Sequence, residues 1–132
     1  MGTTQQTQRP VSANPATGSA VVALDAAEIA AMPRHTVGTG ASTARLWTRG
    51  RSHAGVMWLE AHARLEAHTH RRHAHHVWVV EGGITSLGRE LGPGSFAYVP
   101  PGQEHELLAG SDGATFFYLY LDLFEEPPVV PV

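Results

Sequence analysis

Five histidines, His68, His70, His73, His75 and His76, fall within nine positions of the stretch "HTHRRHAHHVWVVEGG" (68–83), and another, His105, closes "PPGQEH" (100–105). Imidazole is a favoured ligand for Zn, Cu, Fe and Ni, so the question is which of these rings share one point in space. The cluster is not a purification tag. Tags are terminal and contiguous, whereas these histidines are interleaved and run into a strand-like apolar segment. Successive side chains of a strand face opposite ways. His68 and His70 therefore point the same way, as a two-toothed metal grip. His75 and His76 must face opposite sides, so at most one of them joins that pair. The change of parity between His70 and His75 needs a turn within "RRHA". The chain has no cysteine, which removes thiolate zinc sites, disulfides and cysteine nucleophiles. Structural zinc sites are closed, tetrahedral and usually thiolate-bearing, so a thiol-free site is expected to be catalytic or ligand-binding.

The elements that must position these residues read as short strands separated by turn chemistry. Candidates are "TARLWT" (43–48), "AGVMWLEA" (54–61), "HVWVVEGG" (76–83), "ITSLG" (84–88), "SFAYVPPG" (95–102) after the turn "GPG" (92–94), and "ATFFYLYLDLF" (114–124). One helix is expected in "AAEIAAMPR" (26–34), limited by Pro33 to about two turns. Many short strands with Gly/Pro punctuation indicate an all-β sandwich or barrel. The 132 residues suit one domain, expected over 21–126. A polar tail or loosely docked arm (1–20) should precede it and a Pro-rich tail (127–132) follow it. The net charge of −3 and scattered arginines leave no basic stripe for nucleic acid. No run approaches the ~18 apolar residues of a membrane helix, and the first twenty residues lack a signal-peptide core. A cytoplasmic protein is the expectation.

The spacing of these residues resembles the cupin superfamily. Its first motif is G-x5-H-x-H-x(3,4)-E-x6-G and its second G-x5-P-x-G-x2-H-x3-N. His68-x-His70-x4-His75-x6-Gly82 follows the first, and Gly94-x5-Pro100-x-Gly102-x2-His105 follows the second. The motifs span about 62–82 and 94–109. His62 stands in place of the first glycine, Ala109 in place of the final asparagine, and His75 in place of glutamate. A rival register uses His76 with Gly83 and lengthens the gap after His70. The resemblance implies a jelly-roll β-sandwich or barrel with one divalent metal ion (Fe, Mn, Zn, Ni or Cu) on His68, His70, His75 and His105. His73 and His76 are expected at the barrel mouth or on its outer face. His35, His53 and His62 read as surface or hydrogen-bonded residues, Arg71 and Arg72 as solvated turn residues, and Glu104 and Glu106 as exposed loop residues.

Replacing the carboxylate by a fourth neutral imidazole leaves the ion with a charge near +2, a harder Lewis acid. Two adjacent positions would remain open on an octahedral ion. Such a site suits Lewis-acid and enolate chemistry on bidentate oxygen substrates such as 1,3-dicarbonyls, enols and phenolic polyketides. The resemblance extends to small cupins that act as dioxygenases or polyketide cyclases, some with all-histidine sites. The row Phe116, Tyr118 and Tyr120 has polar tips suited to a substrate-cavity wall. The alternative is a metal-anchored binding or sensor protein without catalysis. Small cupins are commonly homodimers, and Trp78, on the face opposite His75, leaves room for such an interface. The expected partners are a small-molecule substrate and a second copy, with neither nucleic acid nor membrane.

Overall fold

The computed structural model describes residues 16–17, 21–68 and 71–124, with the backbone alone at 16, 17, 67 and 68. Nine strands form one hydrogen-bonded sheet system: β1 (Ala16–Thr17), β2 (His35–Gly38), β3 (Ala41–Arg49), β4 (Ser52–Leu59), β5 (Arg64–His68), β6 (His73–Ser86), β7 (Arg89–Leu91), β8 (Phe96–Val99) and β9 (His105–Asp122). Its main path runs β1-β3-β4-β9-β6-β7, with β2 beside β3, β5 beside β9 and β8 beside β6. All pairings are antiparallel except β1 with β3, where Ala16 lies opposite Trp47. Among the described residues the one helix, α1 (Ala26–Ala30), has a capping box. Asp25 accepts from the Glu28 amide at 2.8 Å, and Glu28 accepts from the Asp25 amide at 3.0 Å. Those bonds satisfy amides that a helix start otherwise leaves unpaired.

Two strands are longer than their sequence signals suggest. The glycine pair after "VWVVE" reads as a strand end, yet β6 continues through it to Ser86. β9 begins at His105, well before the aromatic run at 114–124. Both strands bend at the same place. Between the pairs Gly82↔Ala114 and Ile84↔Ala109, the single residue Gly83 faces the four residues 110–113. Gly82 and Gly113 take φ of 66° and 71° there. A Cβ on Gly82 would collide with the Gly113 carbonyl. Bulges of this kind let a strand turn a corner and serve two sheets. Below the bend β9 pairs with β5, with His68 opposite His105. Above it β9 lies between β4 and β6, with Tyr120 opposite both His53 and His75.

Alternation then sorts the side chains. Val77 and Val79 of β6, Phe116 and Tyr118 of β9, Leu59 of β4 and Ile84 and Leu107 beyond the bend fill the inner core. The opposite face of β3, β4 and β9 carries Ala44, Val56, Trp58 and Phe117, covered by Met32 with Leu24 and Ile29 of the helical segment. The short polar strands β2, β5 and β7 carry no sequence signal of their own. Each is held by pairing with a longer neighbour.

Candidate metal centre

His75 is the third residue of β6 and shares the inner face with Val77 and Val79; it is 3% exposed. His105 opens β9 after the turn at 100–104, where Gly102 has φ 85° and the Gln103 amide bonds the Pro100 carbonyl at 3.3 Å. It is 4% exposed. The two rings meet, with His75 Nδ1 3.1 Å from His105 Nε2. His105 Nδ1 lies 3.2 Å from the Gln103 carbonyl. A carbonyl can only accept, so Nδ1 carries the proton and Nε2 keeps its lone pair towards His75. Backbone contacts of this type orient metal-ligating imidazoles by fixing their tautomer.

The pair fits a metal ion by a simple geometric test. Two nitrogens bound at right angles, each about 2.1 Å from one ion, lie about 3.0 Å apart; at the tetrahedral angle they lie about 3.4 Å apart. The observed 3.1 Å falls between these values. Without an ion, the same distance lets His75 Nδ1–H donate to His105 Nε2. Of the other two expected ligands, His68 is described by its backbone, which lies opposite His105 in the β5–β9 ladder. His70 lies outside the described residues. Among the described residues no three His, Cys, Asp or Glu side chains form a group able to hold a metal.

The remaining histidines of the cluster go elsewhere. His76 sits on the outer face, where its Nδ1–H donates to the Leu119 carbonyl at 3.2 Å and its ring stacks on Trp78 at 6.0 Å. His73 donates from Nε2 to the Arg51 carbonyl at 2.7 Å and stands edge-on to Tyr120. Arg72 is not simply solvated. It bonds the carboxylate of Asp122, a buried residue, at 3.1 Å. Nor is Glu106 a loop residue: it lies on β9 and accepts from Arg64 at 2.9 Å. Gln103 turns its side-chain amide to the Glu104 carbonyl.

A cavity of about 940 Å³ adjoins the pair, with Thr43, Arg45, His53, Met57, Tyr118 and Tyr120 in its wall. Tyr120 forms the junction, its ring lying 4.3 Å from that of His75. Burial, and to a lesser degree Tyr118, pushes its phenol above the ordinary tyrosine range. Tyr118 is anchored at its tip. Thr43 Oγ1 donates its one proton to the Val56 carbonyl at 2.9 Å, so it accepts from the Tyr118 hydroxyl at 3.1 Å. Gly55 makes room for that hydroxyl, since a Cβ there would fall 2.5 Å from it. Phe116, expected beside the two tyrosines, is wholly buried in the core and absent from the wall. His53 is the residue the sequence reading missed. Its ring lies 4.9 Å from Tyr120 and 5.5 Å from Tyr118. The expected strand began at residue 54; started two residues earlier, it would place His53 in phase with Met57. A second cavity, of about 610 Å³, contains Arg34, Trp58, Glu60, Glu81 and Asp112 and no histidine.

A largely antiparallel sheet system whose two longest strands bend to pair with several partners is that of a jelly roll. No protein-family model matches the sequence, and no curated protein matches it either. Solved structures do. An RmlC-like cupin from Shewanella frigidimarina superposes with a TM-score of 0.62 at 24% identity, over 70% of this chain and 86% of that one. KdgF from a Halomonas species gives 0.59 at 22% identity, over 67% and 84%. The polyketide cyclase RemF from Streptomyces resistomycificus gives 0.56 at 17% identity, over 66% and 73%. The chain has the cupin fold.

Proposed function

We propose that this chain is a metal-dependent enzyme acting on a small enolisable or phenolic carbonyl compound, in the manner of a cupin dioxygenase or polyketide cyclase. The observation that carries the proposal is the buried pair His75 and His105, 3.1 Å apart, with His105 oriented by the Gln103 carbonyl. In this reading His68 and His70 complete a four-histidine set for one divalent ion. When bound, that ion supplies Lewis acidity towards a substrate oxygen or, if redox-active, a site for dioxygen chemistry. The chain's own residues do the rest. Met57 and the tyrosine ring faces exclude water from the cavity, while the polar tip of Tyr120 and the His53 ring orient an oxygen-bearing ligand. RemF, which shares the fold, is itself a polyketide cyclase. A homodimer formed through the outer face of β6 and β8 belongs to the same proposal.

The test is metal analysis of protein purified without a nickel column. One equivalent of divalent metal per chain is expected. His75→Ala and His105→Ala should each lose at least nine-tenths of it, on the scale of ten- to hundred-fold affinity losses seen for supporting groups alone. His76→Ala should keep it. Full occupancy in His75→Ala would overturn the assignment. Zinc would favour cyclase or lyase chemistry; iron, manganese or copper would favour oxygenase chemistry.

A further inference from the structure

The cavity wall holds two arginines in different states. Arg64 is neutralised, 2.9 Å from Glu106 and 4.0 Å from Glu66. Arg45, an exposed residue of the same wall, makes no salt bridge or hydrogen bond among the described residues. Its position in the sheet is specific. Arg45 lies opposite Gly55 of β4, and Gly55 lies opposite Tyr118 of β9. Tyr118 in turn lies opposite Val77 of β6, two residues from His75. The row therefore starts at a cation, crosses Gly55, whose side-chain space the Tyr118 hydroxyl fills, and ends at Val77, one row from the pairing of Tyr120 with His75. A register shift after Arg45 sets it at the last regular pair before a bulge in β3.

From this arrangement, and resting on the function proposed above, we infer that Arg45 anchors an anionic group, a carboxylate in the first instance, at the far end of the substrate from the reacting carbonyl. β3 and β6 are three strand spacings apart, about 14 Å at 4.7–4.9 Å each. An arginine side chain spans about half of that, so the ligand must be extended. It would lie along the cavity wall, with aromatic or polyketide carbon against Met57 and the tyrosine rings. Guanidinium and carboxylate match in a two-pronged geometry that lysine cannot reproduce. A short neutral diketone would leave Arg45 unused.

The test compares two probes on metal-loaded full-length protein by calorimetry: benzoylacetone, a neutral aromatic 1,3-diketone, and its para-carboxylate derivative. The carboxylate is expected to bind at least about tenfold tighter than benzoylacetone, the scale of a charge-assisted bond. Arg45→Met should abolish that advantage, leave benzoylacetone affinity within about twofold, and leave metal content unchanged. Arg45→Lys should recover only part of it. Equal affinity of the two probes for the wild-type protein, or an advantage that survives in Arg45→Met, would overturn the inference. Failure of the metal site reads differently: the protein would lack metal before any probe is added.

Discussion

At the scale of single residues, alternation decides which histidines meet. Adjacent in sequence, His75 is buried against His105 while His76 stacks on Trp78 outside. The same logic fixes a charge that the mechanism does not use. Asp122, at the end of β9, accepts from the Phe124 amide at 2.9 Å and from Arg72 at 3.1 Å, and its own amide bonds Ser52 Oγ at 2.8 Å. Desolvation raises its pKa, but the Phe124 amide, Arg72 and the nearby His73 together outweigh that and hold the carboxyl below the ordinary carboxylate range. A depressed folded-state pKa stabilises the fold above the unfolded value, and that contribution disappears as pH falls through the folded value. Asp122→Asn is therefore expected to be less stable than wild type at pH 7. The gap between their urea midpoints should close below about pH 4; a gap independent of pH would show that the charge contributes nothing. That His75 and His76 face opposite ways was legible from parity; which of them turns inward rested on the motif spacing, whose rival register used His76. His53 was not, because its place in the wall depends on where β4 begins, and strand ends leave little trace in side-chain type.

At the scale of elements, the site exists because β6 and β9 each run through a bend instead of stopping at it. Below the bend β9 reaches β5 and presents His105 opposite His68; above it β9 sits between β4 and β6 beside the tyrosines. Gly82 is the hinge of this arrangement, with positive φ and the Gly113 carbonyl where a Cβ would project. Gly82→Ala is expected to destabilise by more than the ~1 kcal/mol that a positive φ alone costs, and by about 2–4 kcal/mol once the clash is included. Gly83→Ala, whose Cβ would approach the Leu91 carbonyl at 3.3 Å without φ strain, should cost less. Denaturant midpoints of the two variants, measured side by side, check the order; equal losses would mean that the bend does not need Gly82. The glycine pair was visible in the sequence but read as a terminator. Glycine signals a departure from regular strand geometry, and only the pairing partner decides whether the strand ends there or turns.

At the scale of the whole molecule, the order and spacing of two histidine motifs and a glycine–proline turn made the fold readable from the sequence, through their resemblance to the cupin pattern. The outer surface is not constrained in that way, and it carries the last expectation. On the outer face of β6 and β8, Trp78, Val80, Phe96 and Tyr98 are each 41–50% exposed. Trp78 and Phe96 are cross-strand partners with ring centroids 5.1 Å apart, as are His76 and Tyr98 at 5.0 Å. A contiguous aromatic patch of this kind is uncommon on a protein that functions alone. A second copy related by two-fold symmetry would meet it with the same patch, since such interfaces are self-complementary. Sedimentation equilibrium should therefore give a mass of two chains for the wild-type protein. Trp78→Glu combined with Phe96→Glu should give one chain by placing like charges at the centre of the interface. Both residues point away from the histidine pair, so the double variant should retain its metal. Dissociation with metal retained would separate the role of this face from that of the site, whereas a wild-type mass of one chain would rule out the homodimer.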